Sequence, residues 1–533
     1  MQEGTDIESR PLHPGLIFVL LFLAVFALHI PLLRLPYFWD EAGYYVPAAR
    51  DLLLSGSPIP HSTPSNAHPT LVMAYLALCW KISGYAPVVT RTAMLLISAF
   101  SLAGVFRLAQ RVANTEVALA ATICTALYPV YFAQSSLAHL DLAAAGLTFW
   151  ALGSYVEQRR GEVVWWFSLA VLAKETAVLA PLALLAWELL CPALHRKQRT
   201  HSLCLVSRGW KSALLLAPLV PLGLWYGYHY LRTGVVFGNP EFFRYNVQAT
   251  LHPMRVLLAF LLRLWQTLGY QSLYLLTLAT GFAMWRPPLH DARGERGRIA
   301  PSVQVAFLAV IVTYMIFMAL VGGAVLARYM LPVVPLSIII GVSTLRRRVP
   351  MWSWVVVIVA LAFILGLFVN PPYEFAPEDN LAYRDYILLH QQAEEFVEAR
   401  YPMARVLTAW PASDELTRPY LGYVTRPMRV VRIEDFTVEQ LMASADLRSQ
   451  FDVALVFSTK YESPHTLLED WPTWVDWKTR FFGYHRDLPP ELIARMLGAR
   501  IAFGQRLGRQ WVAVLEVESV ENARLKQLTP TNN

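Results

Sequence analysis

Five short segments carry side chains able to do acid–base or phosphate chemistry, and each sits at the edge of an apolar run. They are Phe38-Trp39-Asp40-Glu41-Ala42, His68-Pro69, Ala138-His139-Leu140-Asp141-Leu142, Leu172-Ala173-Lys174-Glu175-Thr176 and Ala327-Arg328-Tyr329-Met330-Leu331-Pro332. Asp40 and Asp141 offer carboxylates able to take a proton, with Glu41 beside the first. Lys174 and Arg328 offer cations that hold a phosphate and stabilise it as it leaves, and Arg263, about two turns inside the apolar run 256–285, is a third. A departing phosphate needs no proton, so one base suffices beside such cations. A carboxylate pair such as Asp40 and Asp141 can also hold Mg²⁺ or Mn²⁺. Each segment has a plainer reading too. Asp40 and Asp141 suit the N-termini of the helices they precede, Lys174 suits a turn with snorkelling charges, Arg328 suits an interfacial anchor, and His68 suits an ordinary surface position. The aromatic cluster Trp471-Pro472-Thr473-Trp474-Val475-Asp476-Trp477 offers sugar stacking, an interfacial belt or plain core.

The composition says what must position these groups. Of 533 residues, 56% are hydrophobic and 16% charged, with a mean hydropathy of +0.39. A soluble domain carries about 25% charged residues, so a single water-soluble globule is excluded and a disordered or fibrous chain disfavoured. Net charge is +7 and the pI about 9.1. The basic residues fall in short tracts beside apolar blocks, as in His195-Arg196-Lys197-Gln198-Arg199 and Arg346-Arg347-Arg348, which suits lipid headgroups and topology signals. No helix-turn-helix, zinc-knuckle or RNP-like pattern accompanies them, so nucleic acid is not an expected partner. The four cysteines, Cys79, Cys124, Cys191 and Cys204, lack metal-ligand spacing, and none lies in the C-terminal part.

A spanning helix needs about 20 apolar residues. Runs at 15–34, 88–106, 116–132, 137–156, 163–190 (two spans joined at Lys174-Glu175), 212–231, 256–285, 303–321, 325–345 and 351–369 give eleven expected spans. The segment 69–83 is too short to cross and is read as an interfacial helix. With it non-spanning, Arg10, Arg107, Arg111, Arg159, Arg160, the 195–199 tract and Arg346–Arg348 share one side, as the positive-inside rule asks of the cytoplasm. The N-terminus is then cytoplasmic, the first run a retained anchor, and the C-terminal part external. A second interfacial helix is expected over 41–54. After Pro371-Pro372, β-rich runs at 405–408, 430–433, 452–457 and 511–515 alternate with helical stretches near 383–400, 437–448 and 490–498. The expected fold is an α-helical polytopic membrane protein over 1–370 followed by a soluble α/β domain with a partly parallel sheet over 371–533.

The order of these motifs resembles the GT-C superfamily of integral-membrane glycosyltransferases, most closely the branch holding protein O-mannosyltransferases and the lipid A aminoarabinose transferase. The matching features are Asp40-Glu41, His68-Pro69, Asp141, Ala173-Lys174-Glu175-Thr176-Ala177 and Arg328-Tyr329-Met330-Leu331-Pro332, across residues 15–345. The resemblance implies a polyprenyl-phosphate-linked sugar donor. It further implies inverting transfer to a lipid, glycan or protein acceptor on the extracytoplasmic face of the plasma (bacterial inner) membrane. Asp40 would be the catalytic carboxylate with Glu41 supporting it, and Asp141 the second acid. Lys174 and Arg328 would contact the donor phosphate, with His68, Tyr329 and Arg263 in the substrate-binding set. Residue 70 is Thr where one branch has a second Pro after His-Pro, so this motif leaves the acceptor unassigned. Two other classes carry similar charges. A lipid-linked-sugar transporter or flippase usually has repeated halves, which are not visible here, and a non-catalytic assembly protein would use Asp40 and Asp141 only as caps.

Overall fold

The computed structural model describes residues 14–195, 210–238, 250–292, 294–462 and 471–517. Arg10, Arg196, Lys197, Arg199 and Cys204 lie outside the described residues. The helices that matter here are α1 (Pro14–His29), α2 (Val46–Ser55), α3 (Leu71–Ser83), α4 (Pro87–Val112), α5 (Thr115–Leu127), α6 (Pro129–Gln134), α7 (Asp141–Val156), α8 (Arg160–Ala173), α9 (Leu179–His195), α10 (Leu219–Thr233), α11 (Pro253–Leu268), α12 (Leu273–Met284), α13 (Pro301–Leu320), α14 (Val334–Arg348), α15 (Trp352–Phe368) and α16 (Ala382–Arg400). Among the described residues, Pro14–Leu32, α4 and α13 are long and apolar enough to cross a bilayer unaided, and several other apolar helices are shorter. The segment read as interfacial forms α3, whose 13 residues span about 20 Å.

Two expected runs are broken in the structure. The run 116–132 is α5 and α6, because Tyr128 leaves helical geometry before Pro129. The run 256–285 is two helices, α11 and α12, because Gln271 and Ser272 take left-handed φ values of 50° and 68° between them. Hydropathy is blind to such a break, since both sides of it are apolar.

α4 is the hub of the helical part, packing on α1, α3, α5 and α7. Its contact with α7 is made by small residues, which let two backbones approach closely. A Cβ added to Gly146 of α7 would stand 2.8 Å from the Ser101 Cβ, and Trp150 lies across Gly104 with its indole N–H donating to the Phe100 carbonyl at 2.9 Å.

The C-terminal part carries a five-stranded sheet of β1 (Arg405–Ala409), β2 (Arg429–Ile433), β3 (Val453–Phe457), β4 (Ala499–Leu507) and β5 (Gln510–Val517). Their order is β2-β1-β3-β5-β4, with β1 parallel to both neighbours and β5 antiparallel to β3 and β4. This is the mixed sheet expected from the β-rich runs, plus β4, whose alternation is weak. β3 is buried at every position, as a central strand's near-continuous apolar run requires. One apolar core joins Leu32, Phe38 and Trp80 to Tyr386, Val406 and Leu455. The segment after α1 is thus packed onto the sheet-bearing part, where Tyr423 donates to the Tyr37 carbonyl at 2.9 Å. The Trp471–Trp477 cluster opens a helix, Pro472–Phe482, with no buried residue, so it is not core.

Gly146→Val overfills the α4–α7 contact. Thermal unfolding of the solubilised protein should show it less stable than wild type by about 1–3 kcal/mol, the usual cost of overpacking.

Candidate active site

The proposed chemical groups all sit where helices stop. Asp40 follows Trp39, whose φ of +44° is a strained left-handed value for an aromatic residue, and precedes a π-helical turn over Glu41–Tyr45. Asp141 is the first residue of α7. Lys174 is extended between α8 and the 3₁₀ turn Glu175–Val178, and Arg328 lies in the 3₁₀ turn Ala327–Met330 before α14. Apolar helices contribute the walls, and the breaks between them turn polar side chains inward.

Four of these breaks meet at Arg328, which is 2% exposed. Its Nη2 donates to Asp40 Oδ2, its Nη1 donates to Glu378 Oε2 at 2.7 Å, and its Nε is 3.4 Å from Asp141 Oδ2. Asp141 Oδ1 accepts from Lys174 Nζ at 2.6 Å. Asp40 and Asp141 do stand at helix N-termini, but neither makes a side-chain cap bond, and neither Lys174 nor Arg328 reaches out to solvent.

A cavity of about 980 Å³ opens over this cluster. Asp40, His68, Lys174, Arg328 and Tyr329 line it, as do Tyr44, Glu374, Trp410 and Tyr461. Lys174 Nζ lies 4.3 Å from the centre of the Tyr329 ring. His68 Nδ1 is 2.9 Å from Glu175 Oε2. Burial opposes ionisation of Glu175, but the neighbouring His68 and Lys174 hold its carboxyl down to about 2. Asp141 stands one layer back, behind Lys174 and Arg328.

Besides Asp141, two more expected residues lie outside the cavity lining. Glu41 is fully buried and grips Arg91, its two oxygens 2.6 and 2.9 Å from the guanidinium, while accepting from the backbone N–H of Phe38 at 2.8 Å and of Ala138 at 2.5 Å. Those bonds tie the turn bearing Asp40 to the loop bearing Asp141. Arg263 is fully buried and donates to the carbonyls of Met318 and Leu326 and to Gln266 Oε1. It holds the strand of backbone that leads into Arg328.

The sequence reading missed Glu378, Asp379 and Trp410. Glu378 and Asp379 form a short turn just past α15 and were counted with the outer domain. Their one sequence signal is an acidic pair in the segment that follows an apolar run, a looser form of the signal that marks Asp40-Glu41. Burial pushes the Glu378 carboxyl up to about 8 against the pull of Arg328, and the Asp379 carboxyl up to about 7 although Tyr270 donates to it at 2.6 Å. Near neutral pH this leaves Asp40 and Asp141 as the carboxylates facing Arg328, with the ionised Glu175 beside Lys174. This donor set does not fit the Mg²⁺ or Mn²⁺ considered for Asp40 and Asp141, because both carboxylates already face cations that would repel a dication.

Residues 67–225 match the family described as dolichyl-phosphate-mannose-protein mannosyltransferase. That match covers less than a third of the chain. The matched stretch holds His68, Asp141, Lys174 and Glu175, while Asp40 and Arg328 flank it. A similar fold is seen in the crystal structure of ArnT from Cupriavidus metallidurans bound to undecaprenyl phosphate, 16% identical over 94% of this chain and 97% of that one, with a TM-score of 0.53. Its apo form gives 15% identity over the same shares and a TM-score of 0.51. No curated protein sequence matches this chain.

Two measurements probe this geometry. Arg91→Met leaves Glu41 buried without a countercharge and should destabilise the protein by about 3–5 kcal/mol in equilibrium unfolding. Glu378 binds its proton more tightly folded than unfolded, so its contribution is complete below the ordinary glutamate range and is lost as pH rises through about 8. The unfolding midpoint should therefore fall between pH 5 and pH 9 by less in Glu378→Gln than in wild type.

Proposed function

We propose that the cavity binds a polyprenyl-phosphate-linked sugar and that the enzyme transfers this sugar, with inversion, to a lipid, glycan or protein acceptor on the extracytoplasmic side of the bacterial inner membrane. In this reading the N-terminus is cytoplasmic and the sheet-bearing part external. The observation that carries it is the convergence of one carboxylate, Asp40, and two cations, Lys174 and Arg328, on a single cavity. Undecaprenyl phosphate is the ligand named for the ArnT structure, and a ligand of that class is what we assign to this chain.

The residues divide the work as follows. Lys174 and Arg328 hold the donor phosphate. The acceptor oxygen attacks the anomeric carbon from the face opposite the phosphate, forming the new C–O bond as the old one breaks. The bonding pair leaves on the phosphate oxygen, where both cations stabilise it. Asp40 takes the acceptor proton. Before the donor arrives Asp40 is engaged by Arg328; a phosphate competes for that guanidinium and frees the carboxylate to act as base. Tyr329 and His68 shape the donor side. Asp141 orients Lys174 and Arg328, Glu41 anchors the turn that presents Asp40, and Arg263 anchors the loop that presents Arg328.

The test is transfer of radiolabelled sugar from a polyprenyl-phosphate sugar in proteoliposomes. Asp40→Asn should lower turnover by about 10²–10⁴-fold, the usual worth of a general base, with donor KM little changed. Lys174→Gln should instead raise donor KM. Wild-type turnover in Asp40→Asn would overturn the base assignment, and failure of the wild-type protein to transfer any polyprenyl-phosphate sugar would overturn the donor class.

A further inference from the structure

A second buried cluster lies apart from the cavity, inside the sheet-bearing part. His390 and Glu394 stand one turn apart on α16, and Glu415 comes from the helix Ala412–Thr417 that follows β1. All three are at most 1% exposed. His390 Nδ1 is 2.7 Å from Glu415 Oε2 and 3.7 Å from Glu394 Oε1, and one ligand atom from each residue lies within 4.8 Å of the others.

What sets the cluster apart is its missing countercharge. The other fully buried glutamate of this region of the core, Glu41, grips Arg91, and Glu378 meets Arg328. Among the described residues, Glu394 and Glu415 form ion pairs with His390 alone. Neither oxygen of Glu394 has a hydrogen-bond partner, and neither do Glu415 Oε1 and His390 Nε2. The surroundings are aromatic: Tyr386 stacks on His390 with ring centres 4.0 Å apart, and Phe457 meets its edge at 4.5 Å. Two carboxylates cannot stay ionised there uncompensated. Either they share protons or a cation joins them.

We propose that His390, Glu394 and Glu415 bind a divalent transition-metal ion. A helical i, i+4 pair of ligands closed by a third from a separate element is a common way to build such a site. One imidazole nitrogen with carboxylate oxygens suits Zn²⁺ or Mn²⁺ better than the all-oxygen preference of Mg²⁺ or Ca²⁺. Bonds of about 2.0–2.1 Å set tetrahedral ligands about 3.3 Å apart, so the 2.7 Å contact opens by about half an ångström to admit the ion while the 3.7 Å contact closes. The carboxyl protons leave as the metal enters. None of the three residues lines the cavity, so the role is structural. The ion clasps α16 to the turn after β1, and that turn carries Trp410, which lines the cavity and packs against Trp39 with ring centres 5.2 Å apart. The site thereby secures one wall of the cavity.

The experiment is elemental analysis of the full chain, purified in detergent, exchanged into Zn²⁺ alone or Mn²⁺ alone and then freed of unbound ion. The expected result is about one ion per chain in wild type for at least one metal, lost in Glu394→Gln and His390→Ala, with a lower unfolding midpoint after chelation that the metal restores. Glu394→Gln keeps the shape of a protonated glutamate, so it folds if the cluster is held by shared protons. Less than about 0.1 ion per chain in wild type, or metal retained at wild-type level in Glu394→Gln, would overturn the proposal.

Discussion

A guanidinium with almost no solvent contact can remain charged only if anions surround it, and the site is organised by that constraint on Arg328. Its fork presents donors in several directions within one plane. Asp40, Glu378 and Asp141 approach from three separate stretches of chain, and Lys174 closes the set from a fourth. Burial favours a protonated Glu378, which leaves Asp40 and Asp141 as the carboxylates paired with Arg328.

The second constraint is mechanical. Glu41 adjoins Asp40 in sequence but points the other way, into a pocket where Arg91 and two backbone N–H groups hold it. Adjacent acids thus have different duties: one faces the cavity and one faces the scaffold. Arg91 also donates to the carbonyls of Pro36 and Ser136, so α4 is the common post to which both acid-bearing loops are tied. The small-residue contact between α4 and α7 brings those loops close enough for this to work. Arg263 does the same for the loop bearing Arg328, using carbonyls that an interrupted helix leaves free.

Much of this was legible from residue order. Charges beside apolar runs are costly in a membrane and therefore informative, which is how Asp40, Asp141, Lys174 and Arg328 stood out. The limits have physical causes. Glu41 and Arg263 have the same residue types and settings as the cavity residues, and only packing separates an inward-facing carboxylate from a buried brace. Glu378 was hidden because it lies past the last apolar run, where acids are ordinary. The split of 256–285 was hidden because left-handed residues at a break leave no trace in hydropathy.

The sequence by itself determined the apolar helical runs, the mixed sheet after residue 400, and the set of ionisable residues available for chemistry, because these follow from local composition and period. Tertiary structure alone decided which of those residues share a cavity, which brace it, and that a turn at 377–379 and Trp410 complete its lining. The reason is distance along the chain. Arg328 and Asp40 are 288 residues apart, and nothing in the residues between them records that two breaks between helices will bring a guanidinium and a carboxylate into contact.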